Sequence, residues 1–306
     1  MNSNISVEDY KDRQILVTGA TGYTGSYLVK KLVALGANVR ALARPSSDRS
    51  KLKSLPVKWY IGQVYDREVL KEAMNGVEYV FHVAAAFREA KISDQQYELV
   101  HVDSTKHIAE LATSEPRFKR LIHTSTMGVH GHIKNPPGSE VSPYAPGDEY
   151  QRTKLKAELW LHDYAKANKL PYTVIRPTAI FGPAETRLFK IFKMASQPFF
   201  LILGGGKCLY HLIHVDDLTD AFLLAGIKDS ALGEAFIVGN EESIALEDFA
   251  RFIAAGLGRK LRIIRLPVAP FFILADCCEF ICKPMGIEPP IYRRRVAFYT
   301  KDRSFD

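Results

Sequence analysis

The sequence predicts an α/β fold: a doubly wound parallel sheet with a smaller carboxyl-terminal lobe. Three observations support this prediction. Short apolar segments alternate with segments of helical apolar spacing up to about residue 175, which is typical of a parallel sheet covered by helices on both faces. A glycine-rich turn follows the first apolar segment. Beyond about residue 178 the alternation weakens, and Phe, Pro and Gly become frequent.

The predicted strands are short apolar segments bounded by polar or turn residues. They cover residues 14–18, 38–43, 57–61, 78–83, 120–124 and 172–175. The predicted helices carry apolar residues three and four positions apart. They cover residues 23–35, 66–74, 93–113 and 148–168. Ligands of such sheets bind at the carboxyl ends of the strands, so we expect functional residues just after each strand.

Composition restricts the class of protein. The 306 residues carry a formal net charge of +7, which favours anionic ligands such as phosphates. The sequence has no run of Lys and Arg with interleaved aromatic residues, so a nucleic-acid partner is not expected. The first 14 residues are polar and unlike a signal peptide, and the four cysteines are few. Both features predict a cytoplasmic location.

Residues 266–287 form the most apolar segment. They include Asp276, Glu279, a lysine and three prolines, so a transmembrane span is not expected. We expect this segment to cover an apolar pocket, and the alternative is a helix that lies on a membrane surface. Cys278 and Cys282 have no histidine near them in sequence, so they are expected to be buried structural thiols and not metal ligands.

The glycine-rich turn at residues 18–25 (TGATGYTG) follows the first predicted strand and opens the first predicted helix. Its glycines allow a tight turn, close approach of the backbone to a pyrophosphate, and close packing of the helix on the strand. This context predicts a dinucleotide-binding Rossmann domain at residues 1–177, with contributions from about residues 211–240. Residues 178–210 and 241–306 are expected to form a substrate-binding lobe.

Tyr150 and Lys154 stand four residues apart in the predicted helix 148–168, so their side chains share one face. A nearby ammonium favours the ionised form of a phenol, whose ordinary pKa is about 10. The pair could therefore exchange a proton with a substrate oxygen near neutral pH. The alternative is a surface pair without a catalytic role, because this spacing is frequent on helices.

Together these motifs resemble the extended short-chain dehydrogenase/reductase family (NAD-dependent epimerase/dehydratase-like), and the resemblance covers essentially the whole chain. It implies that Tyr150 and Lys154 are catalytic. Counting back from the glycine of the TMGVHG segment places the family's catalytic hydroxyl on Thr126, with Ser125 as the alternative. Its role would be to hold and polarise the substrate carbonyl. His123 is expected to be a core histidine with satisfied hydrogen bonds, and the following His130 to shape the pocket.

The resemblance also indicates the cofactor. NAD enzymes of this kind carry an acidic residue at the end of the second strand, where this chain has Ala43 followed by Arg44. A guanidinium suits a 2′-phosphate, so NADP(H) is favoured over NAD(H); the alternative is that Arg44 is only a surface charge. The predicted cofactor-binding residues are Gly19, Thr21, Gly22, Tyr23, Thr24, Gly25, Arg44, Gln63, Val64, Ala84, Ala85, Ala86, Thr124, Tyr150, Lys154 and Pro177.

Two absences bear on the reaction. Met127-Gly128 replaces the Asp-Glu that follows the catalytic threonine in 4,6-dehydratases, and Tyr210 stands where sugar-nucleotide enzymes often carry an arginine. The chain instead resembles the 3β-hydroxysteroid dehydrogenase and dihydroflavonol reductase branch. This implies hydride transfer between NADP(H) and a largely apolar alcohol or ketone. A sugar-nucleotide epimerase or dehydratase, or a non-catalytic NADPH sensor or scaffold, remains the alternative.

The resemblance further implies a homodimer formed through the helices predicted at residues 93–113 and 148–168. Phenylalanines are frequent in the expected substrate-binding lobe, where they would either line an apolar pocket or belong to the core. These are Phe189, Phe192, Phe199, Phe200, Phe271 and Phe272.

Overall fold

The computed structural model describes residues 5–86, 92–282, 284–285, 287, 289–291, 293–297, 300 and 302–306. The chain divides into two compact units. The first comprises Met1–Gly131, Pro143–Gly182 and Ile213–Val238, and the second comprises His132–Ser142, Pro183–Leu212 and Gly239–Asp306. None of the helices in these described residues is long and apolar enough to span a membrane.

The strands follow one another along the chain as β1 (Gln14–Thr18), β2 (Asn38–Ala43), β3 (Lys58–Ile61), β4 (Tyr79–His82), β5 (Arg120–Thr124), β6 (Tyr172–Pro177), β7 (Ala179–Phe181), β8 (Phe199–Leu203), β9 (Leu209–Tyr210), β10 (Leu212–His214), β11 (Ala235–Val238), β12 (Ile244–Ala245) and β13 (Arg262–Leu266). The first unit holds a seven-stranded sheet of order β11-β6-β5-β4-β1-β2-β3. Every neighbouring pair in it is parallel. The predicted doubly wound sheet is confirmed, and the predicted strand bounds agree to within two residues.

The helices are α1 (Val7–Tyr10), α2 (Tyr23–Ala34), α3 (Arg67–Met74), α4 (Asp94–Tyr97), α5 (Ser104–Thr113), α6 (Glu149–Asn168), α7 (Phe189–Ala195), α8 (Val215–Ile227), α9 (Leu246–Gly256), α10 (Ala269–Cys282) and α11 (Arg293–Ala297). Short 3₁₀ turns cover Ser50–Leu52, Met127–His130 and Asp229–Ala231. The helix predicted at 93–113 is interrupted by a π-helical turn, Glu98–Asp103. Apolar spacing does not register such a turn, because it adds one residue without ending the helix.

Both faces of the sheet are covered, because alternate residues of a buried parallel strand point to opposite layers. Ile15 and Val17 of β1 belong to a core cluster with residues of α2 and α8. Leu16, between them, belongs to a second cluster with residues of α3, α5 and α6. Strand order reverses between β1 and β4, so the crevice at the carboxyl ends of these two strands is the expected ligand position.

The second unit is built from short elements. Strand β8 pairs with β13 in parallel, and β9 pairs with β12 in antiparallel fashion. Among its phenylalanines Phe200 is fully buried and belongs to the core, whereas Phe189 and Phe199 are at least half exposed. Cys278 and Cys282 are only half-buried, so the expectation of buried thiols is wrong for both. The reason is that α10 packs so loosely that Ala275 is its one buried residue.

Candidate active site

The glycine turn lies where the topology predicts, at the carboxyl end of β1. Gly19 has φ of +69°, and a β-carbon there would lie 2.7 Å from the amide nitrogen of Ala84, which follows β4. A β-carbon on Gly25, in the first turn of α2, would collide with the carbonyl oxygen of Gly19. Close packing thus requires glycine at both positions. Gly22 is the N-cap of α2, and no side chain of the described chain caps that helix.

The other predicted cofactor residues follow the sheet strands at the same edge. Arg44, after β2, is exposed, and Gln63, after β3, is half-buried. After β4, Ala84 is buried, Ala85 is exposed and Ala86 is half-buried, so small side chains follow the strand at this edge. Thr21 lies in the turn after β1, Tyr23 and Thr24 begin α2, and Val64 follows β3. Thr124 and Pro177 are the last residues of β5 and β6. Ala86 is the fourth residue after β4.

Helix α6 carries Tyr150 and Lys154. It begins at the N-cap Asp148, whose carboxylate accepts the N–H of Gln151. Lys154 is 1% exposed, and its Nζ donates to the carbonyl oxygen of Thr124, at the end of β5, at 2.7 Å. Burial disfavours the charged ammonium and lowers the pKa of Lys154 to about 7, although the negative charge of Glu158 opposes this shift.

The ring of Tyr150 packs against two aromatic side chains that precede α5. It lies edge-to-face with His101 at a centroid distance of 5.3 Å, and with Tyr97 at 6.4 Å. Tyr150 is half-buried, so part of its side chain is accessible to a ligand. The structure therefore holds the phenol through its ring, one helical turn before the buried ammonium.

His101 is a residue that the sequence interpretation missed. It lies in the π-helical turn and accepts the N–H of Ala86 at its Nε2, at 3.1 Å. The ring proton is therefore on Nδ1, which lies 2.8 Å from the hydroxyl of Thr153. This hydroxyl in turn donates to the carbonyl of Glu149 in α6. One imidazole thus links the chain after β4 to the helix that carries Tyr150. Its only sequence signal is a histidine in an otherwise ordinary helical segment.

The two candidate hydroxyls differ in accessibility. Ser125 is 2% exposed, and its N–H donates to the carbonyl of Ile175 in the neighbouring strand. Thr126 is half-buried, and its Oγ1 accepts the N–H of Gly128 at 3.1 Å. Of the two, Thr126 is the one that a ligand at the edge of the sheet can reach.

His123 is buried, as expected, but its hydrogen bonds are not satisfied. Neither ring nitrogen has a hydrogen-bond partner among the described residues, so that part of the expectation is wrong. Its neighbour His82 is fully satisfied: Nδ1 meets the hydroxyl of Thr18 at 2.8 Å, and Nε2 that of Ser104 at 3.1 Å. Burial and the positive charge of Lys154 hold the pKa of both imidazoles far below its usual value.

His130 belongs to a buried polar cluster. Arg176 donates to Nε2 of His130 at 3.1 Å and to the carboxylate of Glu158, and the His130 ring stacks on Tyr144 at 5.3 Å. Burial opposes ionisation of Glu158, but hydrogen bonds from His162 and Arg176 outweigh it and lower the pKa of Glu158 to about 2. The cluster keeps the end of β6 and the middle of α6 together.

Comparisons with known proteins agree with this arrangement. Residues 15–239 match the model of the NAD dependent epimerase/dehydratase family. The chain is 39% identical over 181 residues, 56% of its length and 53% of the relative's, to "Sterol demethylase protein B" of Methylococcus capsulatus. It is 29% identical over 293 residues, 94% of its length and 86% of the relative's, to "4-hydroxy-2-methyl-3-oxo-4-farnesyl-3,4-dihydroquinoline-1-oxide ketoreductase" of Stigmatella aurantiaca.

A third relative, "3beta-hydroxysteroid-dehydrogenase/decarboxylase isoform 2" of Arabidopsis thaliana, is 28% identical over 96% of this chain and 57% of its own. The chain thus spans little more than half the length of the first and third relatives. The crystal structure of gox2253 superposes with a TM-score of 0.78 at 27% identity, covering 96% of this chain and 90% of that one. The predicted resemblance to the 3β-hydroxysteroid dehydrogenase-like branch of extended short-chain dehydrogenases/reductases is confirmed. The chain belongs to the NAD dependent epimerase/dehydratase family.

Proposed function

We propose that the protein is an NADP(H)-dependent oxidoreductase that acts on a secondary alcohol or ketone of a largely apolar small molecule. The observation that carries this proposal is the position of Lys154. Its ammonium is buried at the carboxyl edge of the sheet, one helical turn after Tyr150, and its pKa is lowered to about 7. A cation buried against such a large desolvation cost, beside a tyrosine, is typical of a functional site.

The residues at this edge fit a dinucleotide. Glycine at positions 19 and 25 lets the turn lie close to the chain after β4, and the N-terminus of α2 carries no side-chain cap among the described residues. The amides of its first turn would therefore hold the pyrophosphate. Lys154 would bind the ribose hydroxyls, and the exposed Ala85 leaves room for the nicotinamide end. When bound, the nicotinamide supplies or accepts the hydride.

The protein's own side chains would transfer the proton. In the reducing direction the Tyr150 hydroxyl gives its proton to the carbonyl oxygen of the substrate. Thr126 would hold that oxygen: its hydroxyl accepts the N–H of Gly128, which leaves its own hydrogen to be donated to the substrate. A positive charge on Lys154 favours the tyrosinate that is left behind, and so lowers the cost of the transfer.

A preference for NADP(H) rests on Arg44. It is exposed just after β2, and the preceding Ala43 offers no carboxylate to a ribose 2′-hydroxyl. Replacing Arg44 with Ala should lower kcat/KM for NADPH relative to NADH by about tenfold or more, because a charge-assisted contact to the 2′-phosphate is lost. Arg117→Ala is the matched control, since this exposed arginine precedes β5 and so lies at the opposite edge of the sheet. An unchanged NADPH-to-NADH ratio in Arg44→Ala would leave the cofactor preference without support.

The apolar substrate class draws on the relatives. One relative carries a sterol-related name, and another is named as a ketoreductase of a farnesyl quinoline compound. The match to the second relative covers 86% of its length. We infer a sterol-, flavonoid- or keto-acid-like substrate, for which the second unit would serve as the substrate-binding lobe. The homodimer implied by the family, and a cytoplasmic location, remain predictions.

The decisive experiment follows loss of NADPH absorbance with a panel of sterol ketones, flavonoids and β-keto acids. Tyr150→Phe should lower kcat/KM on any accepted substrate by about a hundredfold or more, because the proton donor is gone. Tyr164→Phe is the matched control: it removes a phenol from the same helix, at a half-buried ring stacked on Trp160. If Tyr150→Phe keeps nearly full activity, the assignment of Tyr150 is wrong.

Two other outcomes would redirect the proposal. Cofactor that stays bound through purification, without net turnover of added NADPH, would favour an epimerase or dehydratase, a reaction class that the family name includes. Binding of NADPH without any turnover would favour a sensor or scaffold.

A further inference from the structure

Helix α10 presents an apolar side to solvent. Ile273, Leu274, Phe280 and Ile281 are 65%, 46%, 82% and 60% exposed, and Cys277 between them is exposed as well. Counted from Ile273, the other four stand one, four, seven and eight residues along the helix. This pattern places all five on one side of the helix. A helix on the surface of a water-soluble domain ordinarily turns its charged residues outward, so this arrangement is inverted.

The acidic residues of α10 do not interrupt this apolar side. Arg293 of α11 donates to the carboxylate of Asp276 at 2.5 Å, and its backbone N–H donates to Glu279 at 2.7 Å. The same guanidinium lies 4.9 Å from the ring centre of Phe272. The guanidinium thus offsets the charge of Asp276, and a backbone N–H of α11 holds Glu279. Both carboxylates therefore face α11, and Ile273, Cys277 and Phe280 form a stripe without charge between them.

Exposed apolar residues also follow the end of the helix. Met285 and Ile287, the next large apolar residues, are 65% and 52% exposed. Isolated exposed apolar residues are normal on proteins, but several on one side of one helix mark a surface that contacts an apolar partner.

Charge distinguishes among possible partners. Residues 259–306 contain ten Lys and Arg residues against five Asp and Glu residues, a net charge of +5 out of the +7 of the whole chain. A second copy of this chain would carry the same net positive charge in this segment, which opposes association. An anionic lipid surface offers both an apolar interior and the opposite charge.

We propose that α10 is a docking helix for the surface of an anionic lipid bilayer. The helix lies in the interface, its apolar side enters the boundary between headgroups and acyl chains, and basic residues of the same segment contact the lipid phosphates. This proposal is independent of the proposed reaction, because it concerns only where the protein binds.

The test is co-sedimentation of the full chain with vesicles of phosphatidylcholine alone, and of phosphatidylcholine mixed with phosphatidylserine. The protein should bind the mixed vesicles, more weakly at high salt. The double substitution Phe280→Ser with Ile281→Ser should reduce the partition coefficient by about tenfold or more, because two inserted side chains are lost. Phe252→Ser is the matched control, since this phenylalanine of α9, in the same unit, is 74% exposed. It should bind like the unmodified protein.

A second variant keeps the test valid if the double substitution impairs folding. Phe280→Trp preserves the apolar side, and its fluorescence should shift to shorter wavelength on mixed vesicles and be quenched by brominated lipid. The proposal is overturned if the protein ignores both kinds of vesicle, or binds both equally. It is also overturned if light scattering shows self-association that the double substitution abolishes, because α10 would then be an interface between copies.

Discussion

The buried ammonium of Lys154 should lower the stability of the protein at neutral pH, and Lys154→Met should remove that cost. Lys154 titrates at its ordinary pKa of 10.5 in the unfolded chain and at about 7 in the folded protein. Between these values the unfolded chain holds a proton that the folded protein has released, so stability rises with pH. The free energy of unfolding of the unmodified protein, relative to Lys154→Met, should increase by about 2 kcal/mol from about pH 7 to about pH 9.

Comparing the two proteins at two pH values isolates this effect. Lys154→Met also removes the hydrogen bond to the carbonyl of Thr124, but that loss does not depend on pH. The nearby Glu158, with a pKa of about 2, stays ionised throughout the range. Burial likewise keeps His82 and His101 neutral throughout it. The remaining titrating groups are common to both proteins and cancel in the difference.

Urea unfolding followed by tryptophan fluorescence measures the effect in the right part of the molecule. The sequence contains two tryptophans, Trp59 and Trp160, and both lie in the unit that holds Lys154. A change of about 2 kcal/mol corresponds to a shift of about 1 M in the difference between the two urea midpoints. Lys156→Met is the matched control, because it removes one positive charge from the same helix at an exposed position.

A constant difference between the unmodified protein and Lys154→Met across this pH range would refute the reasoning. Lys154 would then keep its ordinary pKa in the folded protein. The proposed function would lose the observation on which it rests, a buried lysine with a lowered pKa.

Three further substitutions test other parts of the site. Gly25→Ala should weaken NADPH binding, measured by fluorescence titration, by about tenfold or more, because its β-carbon collides with the carbonyl of Gly19. Glu158→Gln should lower the free energy of unfolding at neutral pH by about 3–5 kcal/mol, because the buried guanidinium of Arg176 loses its counter-charge. Because the pKa of Glu158 is lowered from 4.5 to about 2, its stabilising effect is complete above about pH 4.5 and is lost as pH falls toward 2, so the gap between the two proteins should narrow in acid. His101→Phe keeps a ring beside the phenol but removes both imidazole hydrogen bonds, so it should lower kcat by about tenfold while KM for NADPH stays unchanged.

Each of these three has a contrary result. Normal NADPH affinity in Gly25→Ala would mean that the turn can move away from the helix. A gap for Glu158→Gln that widens in acid would contradict the lowered pKa. For His101→Phe, equal loss of kcat and of NADPH affinity would indicate a general structural role, whereas a selective loss of kcat identifies a positioning residue.

The sequence by itself determined the sheet, the glycine turn and the Tyr150–Lys154 spacing, because each depends on residues close together along the chain. Apolar periodicity fixes which segments become strands and helices. The glycine at 19 marks a left-handed conformation that few other residues adopt. Four residues on any helix make one turn, so the phenol and the ammonium share a face wherever the helix lies.

Only the tertiary structure decided what surrounds these residues, because those contacts join distant parts of the chain. His101 meets Thr153 across 52 positions, and Thr18 meets His82 across 64. The burial that lowers the pKa of Lys154 comes from packing of α6 on the sheet, which no local pattern encodes. The apolar composition of segment 266–287 is also compatible with a place in the core. Its exposure in α10 follows from which neighbours the fold places beside it, and it shows that apolar composition alone does not determine burial.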